Sequence, residues 1–325
     1  MHFINRRQLL TGLAAAVVSD SFAQTSNQKS TQTSNRTPRS QFGATSTAED
    51  VTKGLDLSGK TVIVTGCNSG LGLESMRVLA LRGAHVIGTA RTLEKGREAC
   101  ASVKGQTTPV ALELTDFASV VECAKQIGKL TPNIDILMLN AGIASDKFEQ
   151  INGLEQHFVV NHLGHFVLTH HLIDLVRAAP QGRVVVVGSG SHLQAPAGGI
   201  QFNNLKGNGW EDKAYAHSKL ANGLFSLELS RRLAGSRATS NCLTPGPVHT
   251  NIFSNWATKV EREAKTPPQG AATQCYVATA PQLARVTGEY FKDCNPMSQS
   301  SDQRDAKMAA KLWETSTQLT RAYLA

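Results

Sequence analysis

A tyrosine and a lysine four positions apart have the clearest chemical potential of any side chains in this sequence. Tyr215 and Lys219 share one face if this segment is a helix. A free tyrosine has a pKa of about 10, and a nearby cation lowers that pKa by stabilising the phenolate. Such a tyrosine can exchange a proton with a substrate oxygen. The spacing alone is equally typical of an ordinary helix with a lysine reaching solvent, so its interpretation depends on the rest of the chain.

A glycine-rich loop well upstream has the context of a phosphate site. The apolar segment Thr61–Thr65 predicts a buried strand, and helical periodicity begins soon after it. Glycines between the two let the backbone approach a pyrophosphate, and the helix N-terminus attracts its negative charge. An ordinary strand-to-helix turn is the alternative. We predict a dinucleotide-binding loop formed by Gly66, Asn68, Ser69, Gly70, Leu71 and Gly72.

The residue after the second predicted strand bears on the choice of cofactor. An acidic side chain about 20 residues beyond the glycine loop would bind the ribose 2′-hydroxyl of NAD. Arg91 stands there instead, with Lys95 nearby. Because a guanidinium pairs with a 2′-phosphate through charge-assisted hydrogen bonds, this position favours NADP. A solvated arginine at a strand end is the alternative interpretation.

Further motifs follow in a fixed order between and beyond these two. With them, the chain resembles the short-chain dehydrogenase/reductase family over residues 46 to 324, through a G-x-x-x-G-x-G loop and a Y-x-x-x-K pair. The resemblance implies a Rossmann-type fold and assigns cofactor contacts to both members of that pair. The other matching residues are Asp116 on the adenine side, the turn Asn140, Ala141 and Gly142, the helix residue Asn161, Ser189, and the cofactor loop residues Pro245, Gly246, Val248 and Thr250.

Three segments, at residues 160–166, 215–222 and 268–273, resemble the retinol dehydrogenase and WW-domain oxidoreductase branch of the family, although no WW-type domain is apparent. One departure is Gly188, where that branch usually has a first serine. Ser189 is therefore the aligned hydroxyl, with Ser191 as a substitute.

The resemblance implies a division of work among four residues. Ser189 would polarise a carbonyl oxygen, and Tyr215 would donate a proton as hydride arrives from the nicotinamide. Lys219 would lower the tyrosine pKa and bind the nicotinamide ribose. Asn161 would anchor a water that links Lys219 to solvent.

The expected reaction interconverts an alcohol and its carbonyl, with NADP as cofactor. Two other roles remain open: reduction of a carbon–carbon double bond, as in the related protochlorophyllide reductases, and NADP(H) binding without catalysis.

Apolar segments that alternate with helical patterns define the predicted fold class. Strands are expected at residues 61–65, 84–90, 109–114, 134–139, 183–187 and 238–243, with helices at 117–130, 150–179 and 213–234. This alternation predicts a single α/β domain with a doubly wound parallel sheet, whose ligand crevice lies at the carboxyl ends of the strands. The proposed site motifs fall at those ends.

Composition argues against several other classes of protein. The net charge is +8, but the basic residues are scattered among acids without interleaved aromatics, so no nucleic-acid partner is expected. Several of the ten histidines fall near one predicted helix, yet the matching family helix carries them without metal, and no metal is expected. The six cysteines form no C-x-x-C motif and are expected to be free thiols.

The N-terminus predicts export. Arg6 and Arg7, a short apolar run and a small-residue end at Ala23 resemble a twin-arginine signal over residues 1–23. We therefore expect a periplasmic protein, with an uncleaved leader on a cytoplasmic enzyme as the alternative. Residues 24–45, rich in Ser, Thr, Gln and Asn, predict a flexible linker. A capping box at Ser46 and Glu49 would open the domain at residues 46–325.

Residues 251–268 are expected to form a mobile lid over the substrate. Ile252, Phe253 and Trp256 give this segment an apolar and aromatic character, which favours a lipophilic carbonyl or alcohol. The expected partner is a small molecule. The apolar run at the N-terminus is too short for a stable membrane span, and a homo-oligomer is compatible with the sequence.

Overall fold

The structure, a computed structural model, describes residues 37–210, 212–250, 252 and 264–325. The predicted export signal, residues 24–36 of the predicted linker, and residues 251 and 253–263 of the predicted lid lie outside the described residues. Within the described ranges, no helix has the length and apolar character required to cross a membrane.

The strands and helices alternate along most of the described chain. The strands are β1 Thr61–Thr65, β2 His85–Ala90, β3 Thr107–Ala111, β4 Ile136–Leu139, β5 Gln150–Ile151, β6 Leu154–Glu155, β7 Arg183–Val187, β8 Thr239–Thr244, β9 Tyr290–Lys292 and β10 Asn295–Pro296. The helices are α1 Ala48–Thr52, α2 Gly70–Leu81, α3 Leu93–Ala101, α4 Phe117–Leu130, α5 Gly164–Ala178, α6 Ala214–Arg232, α7 Pro267–Thr279 and α8 Ala306–Thr320. A π-helical segment, Phe158–Leu163, leads into α5.

The main sheet has the predicted doubly wound topology. Its strand order is β10-β9-β8-β7-β4-β1-β2-β3, and neighbouring strands from β3 to β9 run parallel. Only the edge pair β9 and β10 is antiparallel among the described strands of this sheet. Because β1 pairs with β2 on one side and with β4 on the other, the strand order reverses at β1. A ligand crevice is expected at the carboxyl ends of the strands there.

Both faces of the sheet are buried, as its continuous apolar strands require. In β1, Ile63 points into one hydrophobic core, while Val62 and Val64 point into the other. The first core lies under α4, α5, α6 and α8, and the second lies under α2 and α7. Helices on both faces leave the carboxyl edge of the sheet as the place where loops can build a site.

The helix predicted over residues 150–179 is wrong at its N-terminal end. Residues 150–155 form the hairpin β5–β6, the π-helical segment follows, and regular α-helix begins only at Gly164. Asn152 and Gly153 both have positive φ, as a tight hairpin turn requires. Asn-Gly is a strong hairpin signal, so the sequence contained the information. Other boundaries differ by a few residues: β3, for example, begins at Thr107 rather than at residue 109.

The capping box predicted at Ser46 and Glu49 is shifted by one residue. Thr47 is the N-cap of α1 and exchanges hydrogen bonds with Asp50, because Thr47 has extended backbone geometry. The Ser46 hydroxyl accepts instead from the Gly43 amide. Contacts with the domain begin still earlier, since Ser40 donates to the Cys294 carbonyl at 2.8 Å.

Candidate active site

The glycine loop after β1 is shaped by backbone that other residues would not fit. Gly66 and Gly70 have φ of +70° and +54°, in the left-handed region that favours glycine. A Cβ on Gly72 would lie 2.0 Å from the Gly66 carbonyl oxygen and 2.6 Å from Asn140 Nδ2. The absence of a side chain at Gly72 therefore lets α2 pack directly against the loop.

The N-terminus of α2 is suited to bind an anion. Its N-cap, Ser69, makes no side-chain capping hydrogen bond, and the first turn carries no acidic residue. The first amides of a helix have no intrahelical partner, so those at Leu71 and Gly72 remain available to a phosphate. Asn68 and Ser69 are exposed at the tip of the loop. The cradle therefore fits the pyrophosphate of a dinucleotide.

Arg91 lies beside this loop at the end of β2. The strand register pairs Thr65 with Thr89, and the Cys67 amide donates to the Thr89 carbonyl at 2.9 Å. Arg91 is exposed, and it makes no ion pair with any residue in the described ranges. A free guanidinium therefore stands next to the cradle. Lys95, in the first turn of α3, is also exposed.

The turn formed by Asn140, Ala141 and Gly142 is hydrogen-bonded to Thr65, the last residue of β1 before the glycine loop. Asn140 Nδ2 donates to the Thr65 carbonyl at 2.8 Å, and the backbone amides of Asn140 and Ala141 both donate to Thr65 Oγ1 at 2.9 Å. Asn140 therefore acts on the cofactor site through the loop. Asp116 also has a structural contact, since its carboxylate caps α4 by accepting from the Ala118 amide at 2.9 Å.

Asn161 lies within the π-helical segment, buried, at the back of the site. Its side-chain oxygen accepts from the Ile143 amide at 2.8 Å, and its Nδ2 donates to the Ile143 carbonyl at 3.0 Å and to Ser218 Oγ at 3.0 Å. π-Helical turns often occur at functional sites. A Cβ on Gly142 would lie 3.0 Å from Asn161 Oδ1 and 3.5 Å from Lys219 Nζ, so these two side chains converge on Gly142.

Lys219 is buried, and its ammonium group donates a hydrogen bond to the backbone. Nζ donates to the Val187 carbonyl at 3.1 Å, at the end of β7. Burial lowers the pKa of Lys219 to about 8, because the protein interior disfavours the cation. The lysine lies on the same helix as Tyr215, with Nζ 5.6 Å from the centre of the phenol ring. The structure thus brings the predicted pair together.

The predicted lowering of the Tyr215 pKa is wrong. Burial raises the pKa of Tyr215 to about 12, and a hydrogen bond with Ser189 offsets only part of this rise. Tyr215 is therefore protonated at neutral pH, as a proton donor must be.

Ser189 is the hydroxyl that the structure brings to Tyr215. It caps the short 3₁₀ helix Gly190–Gln194 by accepting from the Ser191 amide at 3.1 Å, and its Oγ donates to Ser191 Oγ at 3.2 Å. The unusual Gly188 has a steric reason. A Cβ there would lie 2.9 Å from both Cys242 Sγ and the Leu243 carbonyl oxygen.

The loop after β8 closes the cradle from the other side. A Cβ on Gly70 would lie 3.2 Å from Thr250 Cγ2, so Thr250 faces the glycine loop. Val248 is buried against Gly270 of α7, and Gly246 has a φ of +81°. Lys265 Nζ donates to the Pro245 carbonyl at 3.0 Å. The predicted lid begins after this loop, but its last residues, Pro267 and Pro268, belong to α7.

Two contributors to the site were missed by sequence reasoning. His165 Nε2 lies 3.0 Å from Thr65 Oγ1 and links α5 to the glycine-loop strand. Gln274, from α7, donates to Ser75 Oγ at 2.7 Å and to Asn140 Oδ1 at 3.2 Å. No local pattern identifies these contacts, because they join distant segments.

The described residues contain no group of three or more His, Cys, Asp or Glu side chains that could hold a metal ion. Burial lowers the pKa values of His162, His165 and His217, which keeps these core histidines neutral. All six cysteines are free and buried.

Known proteins are similar in sequence to most of the chain. The chain is 39% identical over 303 residues to the short-chain dehydrogenase TIC 32 B, chloroplastic, of Brassica napus, covering 86% of this chain and 95% of the relative. It is 36% identical over 283 residues to retinol dehydrogenase 12 of Mus musculus, covering 82% and 88%. It is 34% identical over 308 residues to the WW domain-containing oxidoreductase of Homo sapiens, covering 89% and 74%.

A solved structure and a family model also match most of the chain. An uncharacterised protein from Mycobacterium paratuberculosis superposes with a TM-score of 0.68 at 33% identity, covering 83% of this chain and 97% of that protein. Residues 60–261 match the family model described as short chain dehydrogenase. Members of this family are oxidoreductases that use NAD or NADP. Fold, site geometry and sequence thus agree that the chain belongs to the short-chain dehydrogenase/reductase family.

Proposed function

We propose that this protein is an NADP(H)-dependent oxidoreductase that interconverts a lipophilic alcohol and its carbonyl. The observation that carries the proposal is the convergence of Ser189, Tyr215 and Lys219 at the carboxyl edge of the sheet, next to the glycine cradle. A hydroxyl that can hold an oxygen, a protonated phenol and a buried cation are together the groups that carbonyl reduction requires.

Each of the four residues has a separate role in this mechanism. Bound NADP(H) supplies or accepts the hydride. Ser189 donates a hydrogen bond to the carbonyl oxygen, and Tyr215 transfers its phenolic proton to that oxygen as negative charge develops. Lys219 stabilises the resulting phenolate and holds the nicotinamide ribose, while Asn161 keeps Gly142 and Ile143 against the lysine.

Arg91 supports NADP over NAD. Its guanidinium is exposed, lies beside the phosphate cradle and has no ion-pair partner in the described part of the chain. No carboxylate stands at the end of β2 to accept from a ribose 2′-hydroxyl. A 2′-phosphate would be a negatively charged partner for the Arg91 guanidinium.

A lipophilic substrate is supported by composition and by similarity. The segment after Thr250 contains Ile252, Phe253 and Trp256, of which only Ile252 lies within the described residues. Apolar and aromatic residues line pockets for apolar ligands. The similarity to retinol dehydrogenase 12 points to the same class of substrate.

A substrate screen with product identification tests the proposal. The purified protein is incubated with NADPH and a panel of long-chain aldehydes, retinaldehyde, aromatic ketones and enones, with Tyr215→Phe as the control. We expect NADPH oxidation with alcohol as the product, dependent on Tyr215. Saturation of an enone double bond with the carbonyl retained would show a double-bond reductase. NADPH binding without turnover of any compound would show a non-catalytic binding protein.

We also propose that the N-terminal segment directs twin-arginine export to the periplasm. This route carries folded proteins, which suits a domain that must fold around a cytoplasmic cofactor. Fractionation of cells that express the native chain or an Arg6→Lys, Arg7→Lys double variant tests the idea. Periplasmic protein cut near Ala23, lost in the double variant, is expected; wild-type protein that stays in the cytoplasm with Met1 attached would contradict it.

A further inference from the structure

A buried carboxylate and histidine form a pair directly beside the catalytic tyrosine. Glu155, at the end of β6, has a fully buried side chain, and the His157 side chain is only 3% exposed. His157 Nδ1 lies 2.6 Å from Glu155 Oε1. The reaction described above uses neither residue. Burying both groups in a protein interior is costly unless every polar atom has a partner.

The carboxylate of Glu155 is fixed by the start of the π-helical segment. Oε1 accepts from the His157 amide at 2.9 Å, and Oε2 accepts from the Phe158 amide at 2.9 Å. A negative charge at a helix N-terminus is favourable. Glu155 is therefore held on the same segment that carries Asn161, and it presents one oxygen to the histidine ring.

The remaining ring nitrogen of His157 determines how the pair is protonated. His157 Nε2 lies 2.9 Å from the backbone amide of Ser145. Because a backbone amide can only donate, Nε2 must accept and carries no proton. The proton is therefore on Nδ1 and is donated to Glu155. With Nδ1 bound to Glu155, the ring is held in place and its Nε2 accepts a hydrogen bond from the Ser145 amide.

That amide lies in the wall of the catalytic pocket. Ser145 follows Gly142, which lies against Asn161 and Lys219, and Ile143 is bound by Asn161. The His157 ring also packs against the Tyr215 ring, with centroids 6.1 Å apart and planes at 78°. A single imidazole thus contacts both Ser145, at the end of the pocket wall, and the phenol that transfers the proton.

We propose that Glu155 and His157 form a positioning pair that fixes the pocket wall at residues 143–145 and the Tyr215 ring relative to each other. The inference rests on the proposed oxidoreductase function and extends it to the placement of the substrate carbonyl. His157 is a positioning residue and exchanges no proton with the substrate, since both ring nitrogens are engaged. Small displacements of reacting groups have large effects on rate, so loss of the pair lowers the rate of the chemical step.

Two substitutions at residue 157 separate the polar role from packing. His157→Phe keeps an aromatic ring against Tyr215 and removes the acceptor, whereas the side-chain oxygen of His157→Gln can still accept from the Ser145 amide. We expect kcat to fall about tenfold or more in His157→Phe. The NADPH dissociation constant should stay within about twofold, because His157 does not contact the glycine loop. His157→Gln should recover kcat to within about threefold of wild type.

Two outcomes would overturn the proposal. One is a His157→Phe variant with wild-type kcat; the other is a His157→Gln variant as impaired as His157→Phe, which would show that packing alone matters. Thermal unfolding of both variants accompanies the kinetics.

A measurement on the unmodified protein tests the pairing itself. Long-range ¹H–¹⁵N spectra of ¹⁵N-histidine protein report which ring nitrogen of His157 carries the proton. The proposal requires the proton on Nδ1 and slow hydrogen exchange at the Ser145 amide. A proton on Nε2 would refute it. This readout needs neither substrate nor variants, so it distinguishes failure of the positioning pair from failure of the proposed function.

Discussion

The cofactor cradle and the catalytic pocket lie side by side at the same edge of the sheet but are built from different materials. The cradle is made of backbone: Gly66 and Gly70 supply unusual φ angles, and Gly72 permits contact with the Gly66 carbonyl. The pocket is made of polar side chains, among them the buried Lys219, which donates a hydrogen bond to the Val187 carbonyl of another segment.

This difference decides how each region responds to change. A backbone cradle is sensitive to added atoms, because a Cβ at Gly72 would collide with the Gly66 carbonyl oxygen. A side-chain pocket is sensitive to removed atoms and to protonation, because burial already shifts the pKa values of Tyr215, Lys219 and His165. Four experiments test this division.

Removing one oxygen from the pocket has the largest expected effect. Tyr215→Phe keeps the ring against His157 and eliminates the transferable proton. We expect kcat to fall at least about a hundredfold, with NADPH affinity nearly unchanged, since general acid–base assistance is typically worth that factor or more. The matched control is Tyr323→Phe. Tyr323 lies near the C-terminus, where its ring packs on Phe117, and this variant should retain full activity. Activity of Tyr215→Phe within a few-fold of wild type would remove this residue from the mechanism.

Low pH should destabilise the protein through three buried histidines, His162, His165 and His217. Burial lowers the pKa of His162 to about 3 and those of His165 and His217 to about 4, all from 6.5. Between pH 6.5 and the lowered pKa values, the unfolded chain binds more protons than the folded one. The free energy of unfolding therefore falls as the pH decreases through this window. One such histidine accounts for about 2 kcal/mol between pH 7 and pH 5, or about thirtyfold in the unfolding constant.

Urea denaturation at the two pH values measures this loss. His162→Phe keeps the aromatic packing against Phe158 and removes one titrating group. The pH dependence of this variant should be shallower by about 2 kcal/mol. Equal stability of the wild type at pH 7 and pH 5 would contradict the assignment of neutral buried histidines.

Adding one methyl group to the cradle should impair cofactor binding selectively. In Gly72→Ala the new Cβ meets the Gly66 carbonyl oxygen and Asn140 Nδ2, so the loop must shift. We expect NADPH affinity to fall at least about tenfold, the scale of about 1.4 kcal/mol. The control is Gly128→Ala, on an exposed face of α4 where a Cβ meets nothing within 4 Å. It should bind NADPH normally and gain about 0.5–1 kcal/mol of stability. Normal binding by Gly72→Ala would refute the backbone description of the cradle.

Arg91, the charged side chain beside the cradle, should alter selectivity rather than catalysis. Arg91→Asp replaces a phosphate-pairing cation with an acid that repels a 2′-phosphate and can accept from a ribose hydroxyl. The ratio of kcat/KM for NADPH to that for NADH should fall several-fold. Arg97→Asp, an exposed arginine on α3, controls for the change in net charge. A wild type that prefers NADH, or an unchanged ratio, would show that Arg91 does not contact the cofactor.

The doubly wound parallel sheet, the glycine loop and the placement of Tyr215 and Lys219 on one helix could be predicted from the sequence. These features depend on local properties: β-branched apolar runs form buried strands, glycine alone tolerates the loop's backbone, and helical spacing puts residues 215 and 219 on one face. The hairpin at residues 150–155 was also encoded locally, in Asn152 and Gly153, although the helical pattern around it obscured the signal.

The chemistry of the pocket was decided by tertiary structure. Whether the Tyr215 pKa falls or rises depends on the balance between solvent loss and the distance to Lys219, and neither is a property of spacing along the chain. The same holds for the contact of His157 with Ser145, which joins two segments whose register is set by packing of the whole domain. Sequence determines which groups are present and which backbone is possible; burial and long-range contacts determine the protonation state of each group and its position in the site.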